Sequence, residues 1–178
     1  TLIAPDSVIA LRTNPVLYWN TPVDPDPLDS LHYEVHWGLC GEDGVDSVLT
    51  DTNTVEIPRS LHENQHYRWY VISMDRDYSL SHSAESEFWV DAVPEPPGAF
   101  QLVGPADDTT GISTSPTLAW NTSEDADPFD MVTYRIQIGQ DSTFATQVMS
   151  FANIADTAFH VSGLDSNVTY YWRVCGID

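Results

Sequence analysis

The sequence predicts an all-β protein built as two immunoglobulin-like β-sandwiches in tandem, and three observations predict it. A stretch of twenty residues occurs twice, WNTPVDPDPLDSLHYEVHWG at 19–38 and WNTSEDADPFDMVTYRIQIG at 120–139, 101 residues apart with no gap, so the chain holds two copies of one module. Short alternating runs rich in Val, Ile, Thr, Tyr and Trp recur between Pro, Gly, Asn and Asp punctuation, without helical periodicity. The 178 residues leave room for two cores of about 90 to 100 residues each, a size at which one core can sustain folding.

In the first module, strands are expected at 7–12, 16–20, 31–37, 47–51, 54–57, 66–74 and 85–90. Period-2 alternation sends Leu17 and Trp19, then Tyr33, Val35 and Trp37, then Tyr67, Trp69, Val71 and Ser73 to the core. The second module repeats the choice with Leu118 and Trp120, with Tyr134, Ile136 and Ile138, and with Tyr170, Trp172, Val174 and Gly176. Leu2 with Pro5 and Leu102 with Pro105 mark equivalent starts. Between the modules, DAVPEPPGAF at 91–100 has three prolines in four residues, which stiffen the backbone and remove ladder donors. The expected division is a sandwich over 1–92, a semi-rigid linker over 93–99, and a second sandwich over 100–178.

Trp69 matches Trp172, so Asp178 corresponds to Asp75 and nothing corresponds to 76–90. The second sandwich is therefore expected to lack its last strand. It reads either as a window from a longer array or as a sheet completed by a strand from a neighbouring subunit.

Composition narrows the setting. Twenty-seven Asp plus Glu face six basic residues, all arginine, for a formal charge of −21. That field repels nucleic acid and anionic membrane surfaces, so neither is an expected partner. Asp outnumbers Glu by more than two to one, which suits short acidic loops or divalent-cation sites; the plainer reading is a surface kept soluble outside the cell. A hydrophobic share of 42% excludes a disordered chain. No run approaches the roughly 18 apolar residues of a membrane span, and residue 1 begins no export signal, so any such signal is expected to have been removed or to lie outside this sequence. Cys40 and Cys175 fall one in each module at non-equivalent positions, opposite Asp141 and Ile72, which excludes a bond within one module; free thiols are expected, with a bond between molecules as the alternative.

Several spaced positions then agree with a known family. Leu61-x5-Tyr67-x-Trp69-x-Val71 and Leu164-x5-Tyr170-x-Trp172-x-Val174, with Trp19 and Trp120, resemble the fibronectin type III pattern. More narrowly, P-x-L-x-W-N, the D-x-D-P-x-D loop, Y-Y-W-R-V and E-P-P-G look like the tandem fibronectin type III-like modules of large secreted bacterial surface proteins. The resemblance implies a non-enzymatic extracellular or cell-surface spacer, adhesion or assembly unit. Its implied partners are other domains of a longer chain or neighbouring subunits, with a protein or carbohydrate ligand as a further candidate. Alternatives are a self-assembling filament subunit completed by strand exchange and an accessory module of a secreted hydrolase. The loops depart from the family in reading DPDPLD and DADPFD where a glycine is common, and the Arg-Gly-Asp integrin motif is absent.

The aspartate loops are the leading candidate sites. In such a sandwich the loop after Trp19 and the turn after 66–74 share one end, so Asp24, Asp26 and Asp29 are expected near Asp75 and Asp77, and Asp125, Asp127 and Asp130 near Asp178. Calcium takes six to eight oxygens from such groups; no cofactor is required by the sequence, and calcium is the candidate these residues offer. The alternative is Asx and proline turns, and the glycine and distal glutamate of an EF-hand are missing. His32 and His36 flank Glu34 on one strand face, but positions i and i+4 of a strand lie roughly 13 Å apart, too far for one ion.

No catalytic residue is expected: Ser81, His82 and Ser83 are adjacent in a turn, and adjacency does not build a triad. Asn121 (NTS) and Asn167 (NVT) begin glycosylation sequons. Without lysine the chain cannot form the Lys-Asn or Lys-Asp isopeptide locks of surface pili. Outward Tyr18, Tyr70 and Tyr171, with His32, Glu34 and Arg68, offer either a contact surface for sugar or protein or cross-strand packing pairs.

Overall fold

Alternation of large apolar side chains along short strands leaves each half of the chain with two sheets to close face to face. A computed structural model describes residues 1–5, 9–23 and 30–178. It divides into two units, Thr1–Pro94 and Glu95–Asp178.

The first unit contains β1 (Leu2–Ala4), β2 (Ile9–Ala10), β3 (Val16–Trp19), β4 (His32–Leu39), β5 (Asp46–Thr50), β6 (Thr54–Glu56), β7 (His66–Met74), β8 (Leu80–His82) and β9 (Ser86–Val90). One sheet runs β1-β3-β6 and the other β2-β9-β7-β4-β5, with β8 folded back on β7. All pairings are antiparallel except β2 with β9. The second unit repeats the plan with β10 (Leu102–Gly104), β11 (Thr117–Trp120), β12 (Thr133–Gly139), β13 (Met149–Ile154), β14 (Ala158–His160) and β15 (Tyr171–Ile177). Its sheets run β10-β11-β14 and β13-β12-β15. Each unit is thus an all-β sandwich of two sheets.

Buried side chains follow the alternation. Leu17, Trp19, Tyr33, Val35, Trp37, Tyr67, Trp69, Val71 and Ser73 are all buried in the first unit, joined by Ile57, Leu61, Phe88 and Val90. In both units a Trp of one sheet meets a Tyr of the other edge to face: Trp19 on β3 with Tyr33 on β4 at 5.2 Å, and Trp120 on β11 with Tyr134 on β12 at 5.4 Å. The corner before the late strand is also duplicated. The Tyr67 hydroxyl accepts the His62 amide at 2.9 Å and the Tyr170 hydroxyl the Asp165 amide at 3.2 Å, each five residues back.

The structure differs from the sequence expectation in three places. Of the strand expected at 7–12, Ile9–Ala10 forms β2 and pairs with β9, while β1 at Leu2–Ala4, outside the expected range, pairs with β3 in the other sheet, and Pro5, which has no amide to donate, lies between β1 and β2. Residues 80–82, expected as turn, form β8, because the Asp75 carboxylate accepts the amides of Asp77 and Ser79 at 2.9 and 2.8 Å and turns the chain back along β7. Tyr170, Trp172, Val174 and Gly176 are only half-buried. In the first unit β9 covers one edge of β7, and Phe88 stacks on Tyr67 at 5.9 Å; among the described residues β15 pairs with β12 alone.

The closing glycines of the repeat have unequal duties. A Cβ on Gly38 would collide with the Gly44 carbonyl oxygen, whereas on Gly139 its nearest neighbours stand at an ordinary 3.7 Å. Gly38→Ala is accordingly expected to cost about 1–3 kcal/mol, as overpacking does. Gly139→Ala should stay within about 0.5 kcal/mol of the parent. Urea unfolding of the two variants, followed by Trp fluorescence, checks the contrast; equal losses would refute it.

Candidate cation sites

The aspartate loop of the second unit is built outward from the core. Tyr134, buried on β12, accepts the amide of buried Ser123 at 2.8 Å, which fixes the start of the loop. Ser123 Oγ donates to the Gly98 carbonyl at 2.5 Å, and the Gly98 amide donates to the Glu124 carbonyl at 2.8 Å, so the proline-rich segment is tied down beside it. Asp125 Oδ1 accepts the Asp127 amide at 3.0 Å in an Asx turn, and Asp127 Oδ2 accepts the Glu95 amide at 2.8 Å. These bonds bury Asp127 to 5% exposure.

Carboxylate oxygens of Asp127, Asp130 and Asp178 lie within 4.8 Å of one another. Asp127 Oδ1 and Asp125 Oδ2 are buried with no hydrogen-bond partner. An unsatisfied buried acceptor costs about 1–3 kcal/mol, and more when charged. An all-oxygen set of this kind suits a hard divalent cation, which would satisfy the buried oxygen and offset the repulsion between carboxylates. Asp125 has one oxygen committed to the turn and stands outside the three-carboxylate group.

In the first unit Asp24, Asp26 and Asp29 lie outside the described residues. Asp75 spends Oδ1 on its own turn, and Asp77 is exposed. Turn chemistry also explains Asp141. The Thr143 hydroxyl at 2.6 Å, then the Thr143 and Ala145 amides, hold its carboxyl below the usual aspartate range.

The two strand histidines take separate partners: His32 Nδ1 lies 2.6 Å from Asp51 Oδ1, and His36 stacks on Tyr70 at 4.7 Å. Ser83 Oγ accepts the Val71 amide and donates to the Ala84 carbonyl, so its hydroxyl serves the backbone. Tyr18 is half-buried, and Tyr171 is 44% exposed. Asn121 and Asn167 are exposed, Asn121 just after β11 and Asn167 in the turn before β15.

One cluster carries no signal in residue spacing. Cys40, just past β4, His66 at the start of β7 and Glu87 in β9 bring ligand atoms within 4.8 Å of one another. Both cysteines are free thiols. Burial, then the Glu87 charge, push the Cys40 thiol up, with Glu85 adding to the rise and Arg68 opposing it. Only strand register could have foretold this group, because Cys40 lies beside His66 and Glu87 one row further along the same outer face.

No protein-family model and no curated protein sequence matches the chain. Among solved structures it is similar to the FN1–FN3 domains of chicken CNTN1, with 15% identity over 92% of this chain and 56% of that one, and a TM-score of 0.36.

Proposed function

We propose that the chain is a non-enzymatic structural and adhesive unit: a calcium-holding spacer segment of a longer extracellular, microbial surface or secreted protein. The observation that carries this reading is the way the proline-rich segment is held at both ends. Glu63 Oε1 accepts the amides of Ala92 and Val93 at 2.5 and 3.2 Å within the first unit, and Asp127 accepts that of Glu95 within the second, so Pro94 stands between two carboxylate anchors. A connecting segment bonded at each side into its own module fits a spacer unit. The sequence resemblance to bacterial surface modules and the strongly acidic, lysine-free composition favour the extracellular setting. Neighbouring domains of the same longer chain are then its main partners, with a protein or carbohydrate ligand at the outer tyrosines as a further one.

A second reading, an assembly unit completed by a strand from another chain, draws on the open side of β15. There a groove of about 450 Å³ is lined by Pro96–Phe100, Leu102 and Arg173–Gly176. Against it, a charge of −21 keeps copies apart.

Three measurements test these readings. In the source organism, replacing the segment with another two-sandwich tandem of equal length should restore surface attachment that deletion abolishes; failure of the replacement would point to specific recognition. Sedimentation at rising concentration should return the mass of one chain, and mass growth would favour the assembly reading. Calcium at a hundred times its dissociation constant adds about 2.7 kcal/mol to the state that binds it. At about 4–8 °C per kcal/mol for a domain of this size, the melting temperature of the second unit should rise well beyond error in calcium over chelator. Asp127→Asn should abolish that rise while keeping the bond to the Glu95 amide. If calcium has no effect, and the variant melts higher than the parent in both buffers, Asp127 is an unpaired buried charge and the calcium reading fails.

A further inference from the structure

We propose that Cys40, His66 and Glu87 form a second cation site on the first unit, selective for a thiophilic divalent ion of the zinc class. Alternation places the three side chains together. Tyr67 and Phe88 point into the core, so His66 and Glu87, each one residue away, project from the opposite face of the same sheet. Cys40 joins them because its amide donates to the His66 carbonyl at 2.9 Å, extending the β4–β7 pairing by one residue. Three adjacent strands thus each supply one ligand of a different chemical type.

The distances suit the ion. Zinc bonds of about 2.3 Å to sulfur and 2.0–2.2 Å to nitrogen or oxygen put tetrahedral ligand atoms roughly 3.3–3.6 Å apart. His66 Nε2 and Glu87 Oε2 already stand 3.3 Å apart. Closing the remaining edges from within 4.8 Å requires side-chain rotation on the order of 1 Å. His66 is held for the task by stacking on Trp89, with ring centroids 4.7 Å apart and planes 5° from parallel.

Charge and softness then select the metal. Thiolate plus carboxylate supply two negative charges against a 2+ ion, and the thiol proton leaves on binding. Sulfur and imidazole favour zinc-class ions over calcium, whose all-oxygen requirement the second unit meets instead. The nearby cation, Arg68, is turned to other partners: its guanidinium lies 3.5 Å from Glu85 and donates to the Glu42 carbonyl at 2.8 Å. Three protein ligands leave a fourth position for water or a donor from a bound partner.

Cobalt(II) is the probe, added to the 178-residue chain under reducing conditions. The expected result is one equivalent bound, with a thiolate-to-cobalt charge-transfer band and tetrahedral d–d bands, both removed by zinc and untouched by calcium. Cys40→Ser should abolish the charge-transfer band, Glu87→Gln should weaken binding at least tenfold, and Cys175→Ser should change neither, with unfolding midpoints confirming that each variant folds. Absence of the band in the parent, its survival in Cys40→Ser, or its loss in Cys175→Ser would each overturn the site.

Discussion

Each unit hangs on one aromatic contact that crosses from sheet to sheet. Trp19 on β3 meets Tyr33 on β4, and Trp120 on β11 meets Tyr134 on β12, at nearly the same separation and tilt. Such a pair adds about 0.5–1.5 kcal/mol beyond the burial of its rings. The rings are buried at a real cost, since the indole nitrogens of Trp19, Trp37, Trp69 and Trp120 have no hydrogen-bond partner. At about 1–3 kcal/mol each, that penalty is outweighed only because a Trp removes so much apolar surface from water. In the second unit the same Tyr134 also accepts the Ser123 amide, so this contact reaches from the core to the start of the aspartate loop.

Around that shared core the two copies diverge at their rims. Ser123 gives its amide to Tyr134, whereas the equivalent Pro22 has none to give, so that bond has no counterpart in the first unit. Gly38 answers a close backbone approach that Gly139 does not face. Where the first copy has Cys40 in a mixed ligand cluster, the second has Asp141 capping a turn. Duplication preserved the packing, and the candidate chemistry lies in the unequal edges.

Much of the fold was legible from residue pattern. The Leu-x5-Tyr spacing marked both tyrosine corners, and alternation marked every core position of β3, β4 and β7. Alternation also set the direction of Tyr170, Trp172 and Val174, which pack against the second core, but how deeply they are buried depends on a covering strand as well. Residue pattern placed Ser81, His82 and Ser83 in a turn, whereas the Asp75 cap directs the chain back along β7 as β8. Of the acidic loop in the second unit, the pattern showed three aspartates, with Asp178 expected beside them, without ranking them. Asp127 stands apart only because Glu95 folds over it.

The sequence by itself determined where strands form and which face of each is apolar, since side-chain direction in a strand reverses at every residue whatever lies nearby. Tertiary structure decided the meeting of Cys40, His66 and Glu87, which are separated by 26 and 21 positions and converge only through the register of three strands. The nearness of Asp127 and Asp130 to Asp178 followed from the expected loop arrangement of a sandwich, and tertiary structure added that Glu95 bonds over Asp127 and that Asp127 is buried. Contact between distant residues is set by packing and register, and neither leaves a local mark in the order of residues.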